Sequence, residues 1–209
     1  MMKSGKEWPR TLFSITLMVV IAIAWSGIAP YDRLTWYLEL FPIAIALPVL
    51  YLTARRFPLT PFLYWLIGFH CLILTLGAHY TYARVPLGFW VQDIFDFTRN
   101  NYDRLGHFVQ GFVPAIAVRE ILKRESPVKG GGWLAFLTVA ICLAVSACYE
   151  FLEWWIAVAL GVGADEFLAT QGDVWDTQWD MFLATCGAIV SIAMLSRVHD
   201  RAIAKLVTR

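Results

Sequence analysis

Six apolar runs, each of membrane-spanning length, leave this chain very little choice of fold. In hydrocarbon no water satisfies backbone N–H and C=O groups, so a spanning segment is either a helix or part of a closed barrel. About 20 consecutive apolar residues mark a helix. The runs cover 11–29, 34–53, 61–78, 103–122, 133–160 and 177–196. Composition agrees, with 59% hydrophobic and 16% charged residues, against about a quarter charged in soluble domains. The expected fold is an all-α, polytopic transmembrane helix bundle of about six spans, a single transmembrane domain over 1–209. Pro42, Pro48 and Pro114 are expected kinks or breaks, since proline removes a helical hydrogen bond. The run 133–160 exceeds what a bilayer demands, and tilt or an extension would absorb the excess.

Charge orients the bundle. With both termini cytoplasmic, 13 of the 17 basic residues fall inside, and only Arg33, Arg84, Arg99 and Arg104 stay outside. That is a strong positive-inside bias, as expected of a multi-pass plasma-membrane protein. Lys3, Lys6 and Arg10 before the first run resemble a signal peptide. Trp25 and a continuing apolar run favour an uncleaved anchor instead. The basic tail 197–209 is read as lying on the inner leaflet. A net charge of +1 gives no reason to expect a nucleic-acid partner. Cys71, Cys142, Cys148 and Cys186 all sit in apolar runs and are read as small buried hydrophobes.

Against this background, the ionisable residues collect at one depth. A helix rises about 1.5 Å per residue. Glu150 and Glu153 therefore reach the outer turns of the fifth span, Asp176 and Asp180 those of the sixth, and Asp103 and His107 those of the fourth. His79 closes the third span at the same level. Asp103, His107 and Gln110 share one helix face, as do Asp173, Asp176 and Asp180. Charges in hydrocarbon are costly and normally pair, bind an ion or line a polar cavity. Asp103 and Asp173 are equally suited to capping their helices. His70, mid-span, is read as a satisfied core histidine.

Carboxylates with imidazole form a ligand set for Mg²⁺, Mn²⁺ or Zn²⁺. The expected metal ligands are Asp176, Asp180, Glu153 and Asp103, with His107 and Glu150 as the catalytic acid/base pair. Arg84, Arg104, Gln110 and Gln178 are the expected substrate contacts, the arginines meeting phosphate. The leading function is a metal-assisted enzyme or binding site for a polar lipid or envelope precursor, with the lipid bilayer as the general partner. An ion-coupled transporter using the same acids is one alternative. A structural protein held by internal salt bridges is another.

Three blocks, 103–111 (DRLGHFVQG), 149–154 (YEFLEW) and 170–181 (TQGDVWDTQWDM), resemble the YjdF family of bacterial inner-membrane proteins. The resemblance covers most of the chain and implies identity rather than mechanism. A more distant likeness is to VanZ-like membrane proteins. Asp103, Arg104 and His107 match their first block, Glu150 their second, and Asp180 with Gly187 their third, where the expected asparagine after Met181 is missing. That likeness implies a polar site near the outer surface.

Overall fold

A computed structural model describes residues 7–161 and 165–207, so Lys3, Lys6 and Arg209 of the charge count lie outside the described residues. The described residues form α1 Glu7–Ser26, α2 Arg33–Ala54, α3 Pro61–Tyr80, α4 Pro86–Phe95, α5 Tyr102–Glu125, α6 Gly131–Leu160, α7 Asp165–Leu168 and α8 Asp176–Val207. Among them, α1, α2, α3, α6 and α8 are long and apolar enough to cross a membrane. The remaining long helix, α5, has 24 residues and carries Asp103, Arg104, His107, Arg119 and Glu120 along its length. It packs against α3, α6 and α8, which is how a polar helix is kept from lipid. Large apolar side chains such as Leu52, Phe69, Val158 and Met194 remain exposed, as the lipid-facing surface of a bundle requires.

Local sequence explains the helix starts. Asp32 accepts from Thr35 N at 2.7 Å and caps α2. Thr60 caps α3 ahead of Pro61, whose missing N–H is harmless in the first turn. Pro42, Pro48 and Pro114 lie inside unbroken helices. Pro114 does not end the helix, but it leaves the Gln110 carbonyl without its i+4 donor.

Helix α1 belongs to the core. Leu12 and Ile15 pack with Leu63, Tyr64 and Ile116, and Val19 packs with Ile43 and Cys71. Removing α1 would open both clusters. The tightest crossing joins α5 and α8. A Cβ at Gly111 would overlap the Ala184 carbonyl, and one at Gly187 would overlap the Phe108 carbonyl. Small residues let membrane helices approach this closely, where van der Waals packing holds them together.

Two features differ from the sequence reading. Helix α8 runs unbroken to Val207, so the basic tail continues the sixth span instead of forming a surface helix. His199 within it is fully buried, and that burial draws the tail onto the bundle. Cys148 is exposed rather than buried. It stands on an outward face of α6, where an apolar thiol meets lipid without penalty.

The long connection 81–101 folds into a short turn, Tyr82–Arg84, and α4. The Gln171 amide bonds both Asn100 N (3.2 Å) and Asn100 O (2.8 Å), mimicking a backbone pairing. Asn100 in turn bonds Val85 O and receives Tyr102 N. The two connections thereby cap one end of the bundle.

Candidate functional site

His107 lies one turn into α5 and is the centre of the cluster. Its Nε2 is 3.6 Å from Asp103 Oδ1 and 3.8 Å from Asp180 Oδ2, and its Nδ1 is 3.8 Å from Glu150 Oε1. Three helices supply these groups: α5 gives Asp103 and His107 at i and i+4, α6 gives Glu150, and α8 gives Asp180. All four residues are at most 7% exposed. None of the three contacts reaches hydrogen-bond length. Asp103 Oδ2, His107 Nδ1, Glu150 Oε1 and Asp180 Oδ1 are buried without hydrogen-bond partners.

One ligand atom each from Asp103, His107 and Asp180 lies within 4.8 Å of the others. Metal–ligand bonds of about 2.1 Å put tetrahedral neighbours about 3.4 Å apart, close to the observed Nε2–oxygen separations. Glu150 lies on the opposite ring nitrogen. In metal sites a carboxylate at that position orients the ligating histidine.

On the other side of His107 is a cavity of about 210 Å³ between α2, α3, α5 and α6. Glu39, His70, Tyr82, Gln110, Tyr149 and Glu153 line it, together with Asp103 and His107. Glu39 is buried and interacts electrostatically with Asp103 and His107. Among the described residues, no lysine or arginine lines this cavity.

The far end of α5 offers a contrast. Glu120 is fully buried. It accepts from Thr60 N (3.0 Å), Thr60 Oγ1 (2.9 Å), Arg124 (2.6 Å) and His199 Nε2 (2.9 Å). Arg119 bonds His199 Nδ1 at 3.0 Å and Asp200 at 2.8 Å. Arginine only donates, so Nδ1 accepts and the ring proton sits on Nε2, facing Glu120. This network is saturated, whereas the His107 cluster is not.

The structure redistributes the expected site residues. Asp103, His107, Glu150 and Asp180 come together, and Gln110 and Glu153 line the adjoining cavity. Asp176 is instead held by Arg99 at 2.7 Å, because Arg99 reaches across from the connection before α5. Arg104 pairs with Asp173 at 2.7 Å and lies over Trp179, so Asp173, not substrate, engages its charge. Arg84 covers the Tyr31 ring, 4.3 Å from its centroid, and does not line the cavity. Gln178 is exposed, since two helical positions from Asp176 and Asp180 turn it to the opposite face. His79 Nδ1 is 2.9 Å from Ser26 O, tying α3 to α1 outside the cluster. Asp173 also accepts from Trp175 N at 2.9 Å, the capping role. His70 lines the cavity with Nε2 unpartnered, and so is not a satisfied core histidine.

Sequence reasoning passed over Glu39, Tyr82, Tyr149 and Arg99. Glu39 carried a signal, as an acid six positions into an apolar span. The tyrosines carried none, because aromatic residues at helix ends also fit an interfacial belt.

No solved structure matches the chain. It is 50% identical to the inner membrane protein YjdF of Escherichia coli (strain K12) over 193 residues, 92% of each chain. Residues 11–201 match the model of the family described as "Predicted membrane protein (DUF2238)", a match that takes in most of every long helix and the whole His107 cluster. With that coverage, the chain belongs to the DUF2238 family of multi-pass membrane proteins.

Proposed function

We propose that this inner-membrane protein holds a divalent cation on His107, Asp103 and Asp180 and uses it on a polar lipid or envelope precursor entering the adjoining cavity. One observation carries the reading: three ligand-type residues converge while their outer lone pairs are buried and unpartnered. Burying such groups without partners is unfavourable. A cation would satisfy Asp103 and Asp180 together. Bound there, it would supply Lewis-acid polarisation of a phosphoryl or acyl oxygen. Glu150 would orient His107 from the far nitrogen, and Glu153 and Gln110 would contact substrate from the cavity wall. The basic-residue asymmetry supports cytoplasmic termini, which puts the site toward the outer leaflet.

The salt-bridge alternative fits the Glu120–His199 network, where contacts are 2.6–3.0 Å, better than it fits the looser His107 cluster. A carrier would need a path toward the inner end, and that saturated network stands against one. The test is metal content of detergent-purified wild type beside Asp180→Asn at matched folding. Stoichiometric metal in the wild type, lost in the variant, is the expected result. A folded wild type that takes up no Mg²⁺, Mn²⁺ or Zn²⁺ on dialysis would defeat the reading.

A further inference from the structure

We propose that the cavity beside His107 binds an ammonium group, that of a small amine or of an aminolipid headgroup. Glu39 and Glu153 would be its counter-ions, and Tyr82 and Tyr149 its aromatic walls. The proposal deepens the function above by naming the substrate class. It rests on the cavity and not on the bound ion.

Charge comes first. Glu39, Asp103 and Glu153 line the cavity, and among the described residues no lysine or arginine does. A divalent cation on Asp103 and Asp180 would leave Glu39, Glu150 and Glu153 uncompensated. A phosphate placed here would meet like charge, and a neutral sugar would offset none of it. An ammonium offsets it and brings donors.

The walls hold acceptors without partners. Among the residues that line the cavity, Asp103 Oδ2 and Gln110 Oε1 are buried without hydrogen-bond partners. Asp103 and His107 are each 7% exposed. The Gln110 carbonyl, freed by Pro114, adds another acceptor at this level.

The aromatic walls are held in place. A Cβ at Gly77 would come within 2.5 Å of the Tyr82 ring, and one at Gly106 within 2.9 Å. Two glycines therefore clamp that ring from α3 and α5. Tyr149 stands edge-on to His107, with ring centroids 6.4 Å apart. A cation within about 6 Å of such a ring face is attracted to it, more strongly when desolvated. The volume of about 210 Å³ equals about seven waters of liquid, suited to an ethanolamine or choline moiety.

The experiment is calorimetric titration of the full chain in a neutral detergent. The probes are ethanolamine, choline and 3,3-dimethyl-1-butanol, the uncharged isostere of choline. Each is run in EDTA and again with Mg²⁺. At least one amine should bind saturably in both conditions, and choline at least about tenfold tighter than its isostere if it is the one that fits. Glu39→Gln should weaken amine binding at least about tenfold while metal content stays unchanged. Should that variant not fold, Tyr149→Leu gives the same readout from the aromatic side. Short-chain phosphatidylethanolamine against phosphatidylglycerol then separates the sources. Tighter binding of the former than of free ethanolamine identifies a lipid headgroup, and the reverse a soluble amine. Choline that binds saturably but no better than its isostere, amine binding that needs Mg²⁺, or no saturable amine binding by folded protein overturns the proposal. Metal content, measured separately, reports on the cation reading alone.

Discussion

Removing one buried carboxylate should unfold this protein far more readily than neutralising another, and the two lie at opposite ends of the α5–α8 contact. Glu120 accepts hydrogen bonds from Thr60 N, Thr60 Oγ1, Arg124 and His199. Truncating it to alanine leaves Thr60, Arg124 and His199 without their shared acceptor. Breaking a buried charge network from one side costs about 3–5 kcal/mol. For a chain of this length each kcal/mol moves Tm by about 2–4 °C, so Glu120→Ala should lower Tm by roughly 6–20 °C. Asp180→Asn removes a charge whose contact with His107 is 3.8 Å and breaks no short hydrogen bond. Its stability effect should stay within about 1 kcal/mol, the scale of an ordinary substitution. The assay is thermal unfolding in detergent by tryptophan fluorescence, which 10 tryptophans make sensitive. Equal loss of Tm in both variants would refute the division into a structural end and a functional end.

Four further outcomes are expected. Gly111→Leu should abolish the folded, monodisperse species in size-exclusion chromatography, because its side chain has to displace the Ala184 backbone. Metal uptake should weaken as pH falls, since His107, Asp103 and Asp180 bind a cation only when deprotonated; pH-independent uptake would place the ion elsewhere. Asp32→Ala should cost about 1 kcal/mol of helix capping. The Thr35 N–H and then its hydroxyl hold the Asp32 carboxyl below its ordinary value, so this contribution is full above the unfolded carboxylate range and disappears as pH falls through the lowered folded value, which pH-resolved unfolding would detect. Single cysteines at Asp93 and at Lys205, in a background with the native four replaced, should react with a membrane-impermeant maleimide from outside only at position 93. Labelling at 205 in intact cells would reverse the proposed topology.

The helices were legible because hydrophobic length in a membrane chain admits so few alternatives, and Asp103, His107, Glu150 and Asp180 were legible because depth along those helices follows from counting. Pairing was not. Arg99 and Arg104 sit beside the site in sequence, yet Asp176 and Asp173 engage them, a choice fixed by how the two long connections fold over each other. Glu39 stood out as an acid in an apolar span, but its partners on α5 could not be read from the sequence, and His199 was missed because it lies in a basic stretch that reads as a surface tail. In both cases helical phase gave the facing direction only relative to neighbours whose positions the sequence does not set.

The two histidines of the α5 contacts make the functional argument sharper than either cluster does alone. His199 and His107 are both buried, both face carboxylates and both lie where α5 meets α8. Around His199, both ring nitrogens have partners at 2.9–3.0 Å, and arginines balance the acids. Around His107, three carboxylates stand at 3.6–3.8 Å, and the neighbouring arginines are engaged by Asp173 and Asp176. The same two helices thus build a closed ion network at one end. At the other, among the described residues, Asp103, Glu150 and Asp180 have no basic side chain beside them but His107. A chain able to saturate buried charge at Glu120 does not lack the means to do so at Asp180, and the surplus of acceptors there is the observation on which the proposed cation site rests.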